Sequence, residues 1–432
     1  MEIDPWLARA AARRPDAVAL ETPEGRLTYQ ELLLAVTRGA SRLVLRGAEP
    51  GDRVAIVLPA SRAFVVAIHA CLVLRAPAMP IDPRLSERER ADLTRGVPVF
   101  LADPLAEDGG APFHAQDPSE REVALVVHTS GTTRTARQVE LTFGNLAAHV
   151  RATGRVLGGD PEERWLCPMP LSHVAGLMIL IRSAAAVGTV VLEPGPFDAD
   201  RIARQLREGD ITMASLVPTM LARVLEAGGR AGPRLRRVML GGGPVPPGLV
   251  RRAADAGFPV VQTYGLTEAC STVTVAEPGD LETAGRALPG IGLTVAADGE
   301  ILVSGPTVVG EWDALRTGDL GRLDEQGRLT VIGRKSDTIV SGGENVAPAE
   351  VEAVLEEHPG VAEAAVFARR HALWGEAVTA RVVPSGETAQ TAAELRAHCA
   401  ERLAGYKVPK AFELVARLPR TPSGKLLRRE LT

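Results

Sequence analysis

Apolar residues recur along this chain in two periods. After Thr28-Tyr29-Gln30-Glu31, which has the form of a capping box, Leu32, Leu33 and Val36 share one helical face, so a helix opens there. Residues 51–59 (GDRVAIVLP) form a continuous apolar run between turn formers, as a buried strand does, and a second helix is expected over 61–75. Further apolar strands fall at 124–127 (ALVV), 188–193 (GTVVLE), 237–243 (RVMLGGG) and 259–265 (PVVQTYG), with helical stretches such as 200–208 and 219–227 between them. Strands alternating with helices predict mostly parallel α/β layers.

The texture changes after Ile291. Shorter strands with turn signals, 299–306 (GEILVSGP) and 327–334 (GRLTVIGR), predict a β-rich subdomain over about 291–335. From Asp337 onward the pattern reads strand (TIVS), helix over 348–357, strands (AAVF, VTARVV), and a last helix with Leu395, Cys399 and Leu403 in register. The expected fold class is α/β: a large N-terminal domain of layered α/β subdomains plus the β-rich subdomain, residues 1–335, and a small α+β C-terminal domain, residues 336–432. Residues 107–122 are polar and are expected to be loop.

Composition narrows the function. With 432 residues and 45% hydrophobic content the chain is long enough for several domains and a large core. A formal net charge of −4 offers no general attraction to nucleic acid or anionic lipid, so a small-molecule partner is favoured. Cys71, Cys167, Cys270 and Cys399 are scattered without a CxxC pair, which indicates neither zinc nor a disulfide framework. The start lacks an apolar core behind a basic segment, and the apolar run 63–74 is too short to span a bilayer, so a cytoplasmic protein without membrane insertion is expected.

Five stretches carry candidate chemistry. Residues 128–145 (HTSGTTRTARQVELTFGN) follow an apolar strand with a crowd of small donors, the arrangement in which hydroxyls and backbone N–H groups enclose phosphate oxygens, although loops rich in turn formers look the same. TYGLTEA (263–269) puts Glu268 at the end of a strand, where open α/β sheets hold ligands; alone it would read as a helix-start residue. A carboxylate beside a phosphate loop calls for a cation, and magnesium suits that position. RTGDLGRL (316–323) carries Asp319 in a turn, and a carboxylate accepts two hydrogen bonds from vicinal hydroxyls as readily as it caps a turn. GRKSDTIVSGGENVAPAEVE (333–352) places cations and a Ser-Gly-Gly bend at the domain junction, and RTPSGKLLRR (420–429) presents Lys425 on a Pro/Gly-rich loop that by itself resembles a basic tail.

Together and in this order, TSGTT, YGLTE, TGD, GRKSD and PSGK resemble the adenylate-forming superfamily of acyl-CoA synthetases, adenylation domains and luciferases, over most of the chain from about Thr28 to Leu431. The resemblance implies an acid–thiol ligase that uses ATP and Mg2+ to make an acyl-adenylate and then passes the acyl group to the thiol of CoA. Thr129, Ser130, Gly131, Thr132 and Thr133 would grip the β- and γ-phosphates, with Arg137 in place of a loop lysine, and Thr129 and Glu268 would hold the metal. Gly242, Gly243, Pro244 and Tyr264 would border adenine, with Gly265 and Thr267 on the same nucleotide-binding stretch, and Asp319 supported by Arg334 would take the ribose hydroxyls. Lys425 would meet the attacking carboxylate and the α-phosphate, making the small domain a mobile lid that swings about Ser336 so that Gly342 and Gly343 help build a thiol channel.

For the acid, residues 168–201 and LVPTMLARVL resemble the o-succinylbenzoate-CoA ligases of menaquinone biosynthesis. That likeness implies His173 beside the acyl pocket, Ser271 and Thr274 as donors to a distal carboxylate, and Arg182 as a weaker donor. Another aryl or fatty acid, loading onto a carrier protein, or a non-catalytic nucleotide-binding relative remain alternatives, and a homodimer is common among such enzymes. The chain departs from the superfamily at Arg134-Thr135-Ala136-Arg137-Gln138, where two glycines and a proline are missing, and an arginine replaces the lysine. A guanidinium forks across phosphate oxygens differently from an ammonium, so altered ATP affinity is expected there.

Overall fold

The computed structural model describes residues 6–106, 111–114, 116–129, 137–310, 313–386, 391–420 and 426–431, apart from the side chains of Pro247 and Arg429. Two largely parallel sheets form the body. In the first, Val99–Leu101, Val54–Ile56, Ala78–Pro80 and Val123–Thr129 run parallel in that order, and Arg137–Thr142 closes the edge antiparallel. In the second, Val260–Leu266, Arg237–Leu240, Met213–Leu216, Arg164–Cys167, Thr189–Leu192 and Val18–Thr22 run parallel. Antiparallel strands Ser271–Val275 and Arg286–Ala287 extend one side of it, and Gly25–Thr28 the other. Sheets of this kind are covered on both faces, which is why their strands read as unbroken apolar runs.

The helices follow from local chemistry. Thr28 and Glu31 form the reciprocal capping box that starts helix Tyr29–Leu45. Helix Arg62–Leu74 starts at Ser61, whose side chain accepts from the Phe64 N–H, and every residue from Phe64 to Leu74 is buried. A helix that is apolar all round belongs inside. Helix Val174–Ala186 is nearly as buried and begins at His173.

The α/β expectation holds, with corrections. Asp319 is not in a turn: it lies within strand Leu315–Leu323 of the antiparallel sheet Gly292–Val295, Glu300–Ser304, Leu315–Leu323, Leu329–Arg334. Gly318 at φ +73 lets the chain kink there without leaving the sheet. The last helix, Ala392–Ala400, ends before Leu403, which packs on the core from the following segment. The two largest sets of buried apolar residues are a main core from Leu7 to Leu329 and a second core from Ile339 to Val408, with smaller clusters around Met79 and around Phe367. The second set lies between helices Pro348–Glu356 and Ala392–Ala400 and a sheet built on the hairpin Val361–His371 and Gly375–Pro384.

Candidate active site

The parallel strands of the second sheet deliver their next residues to one side, and Tyr264 at one strand end meets Asp319 and Arg334 of two other segments singled out above. Arg237–Leu240 runs into Gly241–Gly243, Val260–Leu266 into the 3-10 turn Thr267–Ala269, and Arg164–Cys167 towards His173. Backbone packing explains the glycines. A Cβ on Gly241 would lie 2.5 Å from Thr263 Oγ1, and one on Gly265 would lie 1.7 Å from the Ser271 carbonyl oxygen. Gly242 sits at φ +81, while Gly243 and Pro244 are exposed. Opposite Gly265 the chain turns through Cys270 at φ 58 and Ser271 at φ 84, two consecutive non-glycine residues in the left-handed region. Such residues store on the order of 1–3 kcal/mol each and cluster where a loop must hold an exact shape. Thr267 and Glu268 are half-buried in this turn, and the Val309 N–H donates to the Glu268 carbonyl at 2.8 Å.

Asp319 lies at the centre of a polar cluster. Its Oδ2 accepts from the Tyr264 hydroxyl at 2.8 Å, and its Oδ1 meets Arg334 Nε at 2.8 Å, directly across the strand pair. The Tyr264 hydroxyl is pushed above its usual range by burial, with the Asp319 charge adding to the effect. The Asp319 N–H donates to Thr317 Oγ1 at 3.1 Å, Thr317 Oγ1 donates to the Ile301 carbonyl at 2.9 Å, and the Gly318 N–H donates to Glu300 Oε1 at 3.0 Å. Three residues chosen from separate motifs, Tyr264, Asp319 and Arg334, thus form one hydrogen-bonded unit.

Thr129 ends its strand opposite Arg137, and its hydroxyl donates to the Arg137 carbonyl at 3.4 Å. Arg137 is exposed, and the strand it begins packs beside the turn that carries Glu268. That strand and the turn of Glu268 are thus neighbours. Ser130, Gly131, Thr132, Thr133 and Arg134 lie outside the described residues, as does Lys425. The flanks of Lys425 are pinned: Arg420 pairs with Leu426 in a β-bridge and with Glu363 at 2.9 Å.

On the acid side, His173 caps helix Val174–Ala186 without a side-chain bond to the helix. It stands near Asp82, which follows a strand of the other sheet. Burial raises the Asp82 carboxyl, but the Arg84 contacts at 2.9 Å, with help from His173, leave it below the usual carboxylate range. Ser271 is half-buried at the tight turn. Thr274 is corrected as an acid-binding donor: it is fully buried, donates to the Ala284 carbonyl at 2.6 Å and accepts from the Tyr264 N–H. Its hydroxyl is consumed in holding Tyr264. Arg182 is buried against Trp165, 4.5 Å from the ring centroid.

At the junction, Ser336 lies in the 3-10 turn Lys335–Asp337. Gly342 and Gly343 turn at φ +61 and +87, and the Gly342 N–H donates to the Trp374 carbonyl at 2.9 Å. Lys335 Nζ bridges Asp298 at 2.8 Å and Glu300 at 3.1 Å. Asp82, Glu300, Thr317 and Gly241 had no place among the sequence candidates. Glu300 had a faint signal, a carboxylate opening an apolar strand; Gly241 acquires meaning only through Thr263, Thr317 through Ile301, and Asp82 through His173 beside its neighbour Arg84.

The sheet order, the two largest cores and the Tyr264–Asp319–Arg334 unit fit a two-part α/β enzyme of the adenylate-forming class, and the matches below make it an AMP-forming acid–CoA ligase. The chain belongs to the AMP-binding enzyme family, whose pattern matches residues 7–97 and 96–311, and the AMP-binding enzyme C-terminal domain matches residues 350–425. Among its relatives, the 2-succinylbenzoate–CoA ligase of Bacillus subtilis (strain 168) is 35% identical, covering 99% of this chain and 97% of that protein. The corresponding ligase of Bacillus cereus (strain Q1) is 36% identical with the same coverage. The o-succinylbenzoate CoA synthetase from Bacillus subtilis in complex with the acyl-adenylate intermediate OSB-AMP superimposes with a TM-score of 0.91 at 34% identity, covering 100% of this chain and 98% of that one. The same enzyme in complex with ATP and magnesium ion gives a TM-score of 0.88 at 33% identity over 99% of each chain.

Proposed function

We propose that this protein is a 2-succinylbenzoate–CoA ligase. The observation that carries the assignment is the likeness to ligases of that name along essentially the whole chain. The Tyr264–Asp319–Arg334 unit at the strand ends supports it, because it offers an oriented carboxylate to a ribose. In the first step a carboxylate oxygen of the acid attacks the α-phosphorus of ATP, the bond to pyrophosphate breaks, and an acyl-adenylate forms. In the second the CoA sulfur attacks the acyl carbon, AMP departs, and the thiol proton is released.

The residues divide this work. Asp319 takes the ribose hydroxyls while Arg334 fixes its orientation, and Tyr264 with Gly242, Gly243 and Pro244 borders adenine, on a stretch that continues through Gly265 and Thr267. Thr129 through Thr133 and Arg137 grip the terminal phosphates. Among the described residues no cluster of three or more His, Cys, Asp or Glu side chains builds a metal cage. Magnesium is commonly held by one or two carboxylates together with substrate phosphates, so Glu268 with the Thr129 hydroxyl fits it. When bound, the ion neutralises phosphate charge. Lys425 brings a positive charge to oxygens that gain negative charge in the transition state. His173 and Ser271 face the acid. A C-terminal domain of residues 336–432 turns about Ser336, so that Gly342 and Gly343 line the path of the thiol. The four cysteines are free and buried, which suits the cytoplasm.

Pyrophosphate release across a panel of aryl and fatty acids, with CoA or carrier protein as acceptor, tests the proposal. Turnover with 2-succinylbenzoate and CoA is expected, and silence with that acid alongside turnover with another would overturn the substrate. Losing a charge-assisted hydrogen bond costs about 1.5–3 kcal/mol. Asp319→Asn should therefore raise the KM for ATP by about tenfold or more, with the KM for the acid little changed.

A further inference from the structure

Thr129 and Arg137, both assigned above to the phosphate end of the nucleotide, face each other at the loop end of the hairpin Val123–Thr129 and Arg137–Thr142. The hydroxyl bond between them, at 3.4 Å, is longer than an ordinary O–H···O bond. Arg137 also begins the outermost strand of its sheet, and strand ends paired on one side alone fray. The two groups therefore need support from elsewhere if they are to keep one geometry. It lies one residue further in, where His128 stands opposite Gln138. Gln138 Nε2 and His128 Nε2 are 3.3 Å apart, and Gln138 Oε1 accepts from Arg53 Nη1 at 2.9 Å. A guanidinium only donates, so the amide oxygen faces Arg53 and the amide nitrogen donates to the ring. His128 Nε2 is then the bare acceptor, with the ring proton on Nδ1, an assignment made from the bonding network.

Arg53 comes from the interior of the sheet. It leads into strand Val54–Ile56, which two strands, Ala78–Pro80 and Val123–Thr129, separate from the edge strand Arg137–Thr142. Its Nη2 pairs with Glu140, so one guanidinium grips the edge strand at Gln138 and Glu140, two residues that share a face. None of these four side chains has a part in the steps above, and Gln138 belongs to the stretch in which the chain departs from the superfamily pattern. We propose that Gln138 is a positioning residue for ATP: held by Arg53 and bonded to His128, it fixes the spacing of Thr129 and Arg137 so that hydroxyl and guanidinium meet the terminal phosphates together. The proposal rests on the reading of Thr129 and Arg137 as phosphate-binding residues. Exposed polar pairs add little to overall stability, so the effect belongs in nucleotide affinity and not in melting temperature. It also belongs to ATP and not to AMP, which has no β- or γ-phosphate.

Calorimetric binding of Mg2+-ATP and of AMP to the full chain tests this. Gln138→Leu, similar in size but without the amide, should weaken ATP by about threefold to tenfold and leave AMP within about twofold. Arg53→Met should do the same, and the double variant should bind ATP no worse than the poorer single, because both changes cut one connection. Glu140→Gln still accepts from Arg53 and should leave ATP within about twofold. Arg137→Ala, measured alongside, separates this proposal from the reading beneath it. ATP weakened by Arg137→Ala but not by Gln138→Leu would overturn the proposal and leave the phosphate reading standing, whereas ATP unmoved by either change would sink both. Equal losses for ATP and AMP, or additive losses in the double variant, would also overturn it. Should Arg53→Met fail to fold, His128→Phe, which keeps a ring and removes the Nε2 acceptor, takes its place in the comparison.

Discussion

Burial pushes the Glu356 carboxyl up to about 7, and the charges of Glu352 and Glu363 add to the shift, while the Ala364 N–H at 3.1 Å works against it. The folded protein thus holds a proton that the unfolded chain releases near its ordinary value of 4.5. Stability from this residue is fully present below that value and is lost as pH rises towards 7. The amount is on the order of 3 kcal/mol. Glu356→Gln keeps an acceptor for Ala364 without the charge, so it should melt higher than the parent at pH 8 and match it near pH 4.5. Thermal unfolding at both values checks this; parallel pH profiles for the two proteins would refute it. Asp319 teaches a related lesson at the same scale. As a residue it was legible as a carboxylate suited to a diol, but its surroundings were not. A bond to a tyrosine 55 residues away leaves no local trace in sequence.

Among the elements, the hairpin Val260–Leu266 and Ser271–Val275 was readable in part. Its first strand and the polar turn after it stood out because an apolar run ended in YGLTEA. That Ser271 sits at φ 84 with its carbonyl against Gly265 did not, since a tight approach between two backbones depends on register. Gly265→Ala would place a Cβ 1.7 Å from the Ser271 oxygen, which neither backbone can accommodate in place. A loss of about 3 kcal/mol or more is expected, with adenylation falling because Tyr264 and Glu268 flank the same turn. Denaturant unfolding with an adenylation assay checks this, and wild-type values for both would show that the turn tolerates a shift. Thr274 was misread for the same reason. A threonine near a strand end looks available until the partner strand and the Ala284 carbonyl are in position.

In the whole molecule, Arg428 ties together the segments around the domain junction. Its guanidinium bridges both Glu352 oxygens at 2.7 Å, meets Asp337 Oδ2 at 3.1 Å and donates to the Val366 carbonyl at 2.9 Å. Asp337 adjoins Ser336, and Arg428 lies three residues beyond Lys425, so one side chain connects the junction to the chain end that carries the lysine. Removing one partner of a buried ion pair typically costs about 3–5 kcal/mol. Arg428→Ala should destabilise the C-terminal unit and lower the adenylation rate while ATP still binds the large body. Separate measurement of ATP binding and pyrophosphate release checks this; equal losses in both would place the defect elsewhere.

By itself the sequence determined the layered α/β class, most helices and strands, the order of the motifs and the family they resemble, because periodicity, caps and glycine-rich strand ends are local. It also marked Arg137 as a departure from the superfamily pattern it resembles. Only the tertiary structure decided that the hairpin Val18–Thr28 completes the edge of a sheet built from residues far downstream, that Asp319 stands in a strand, that Thr274 is spent inside the hairpin and that Arg182 is a buried cation over Trp165. Each of these depends on contacts between segments distant in the chain, and residue spacing does not encode such contacts until the sheets have set their register.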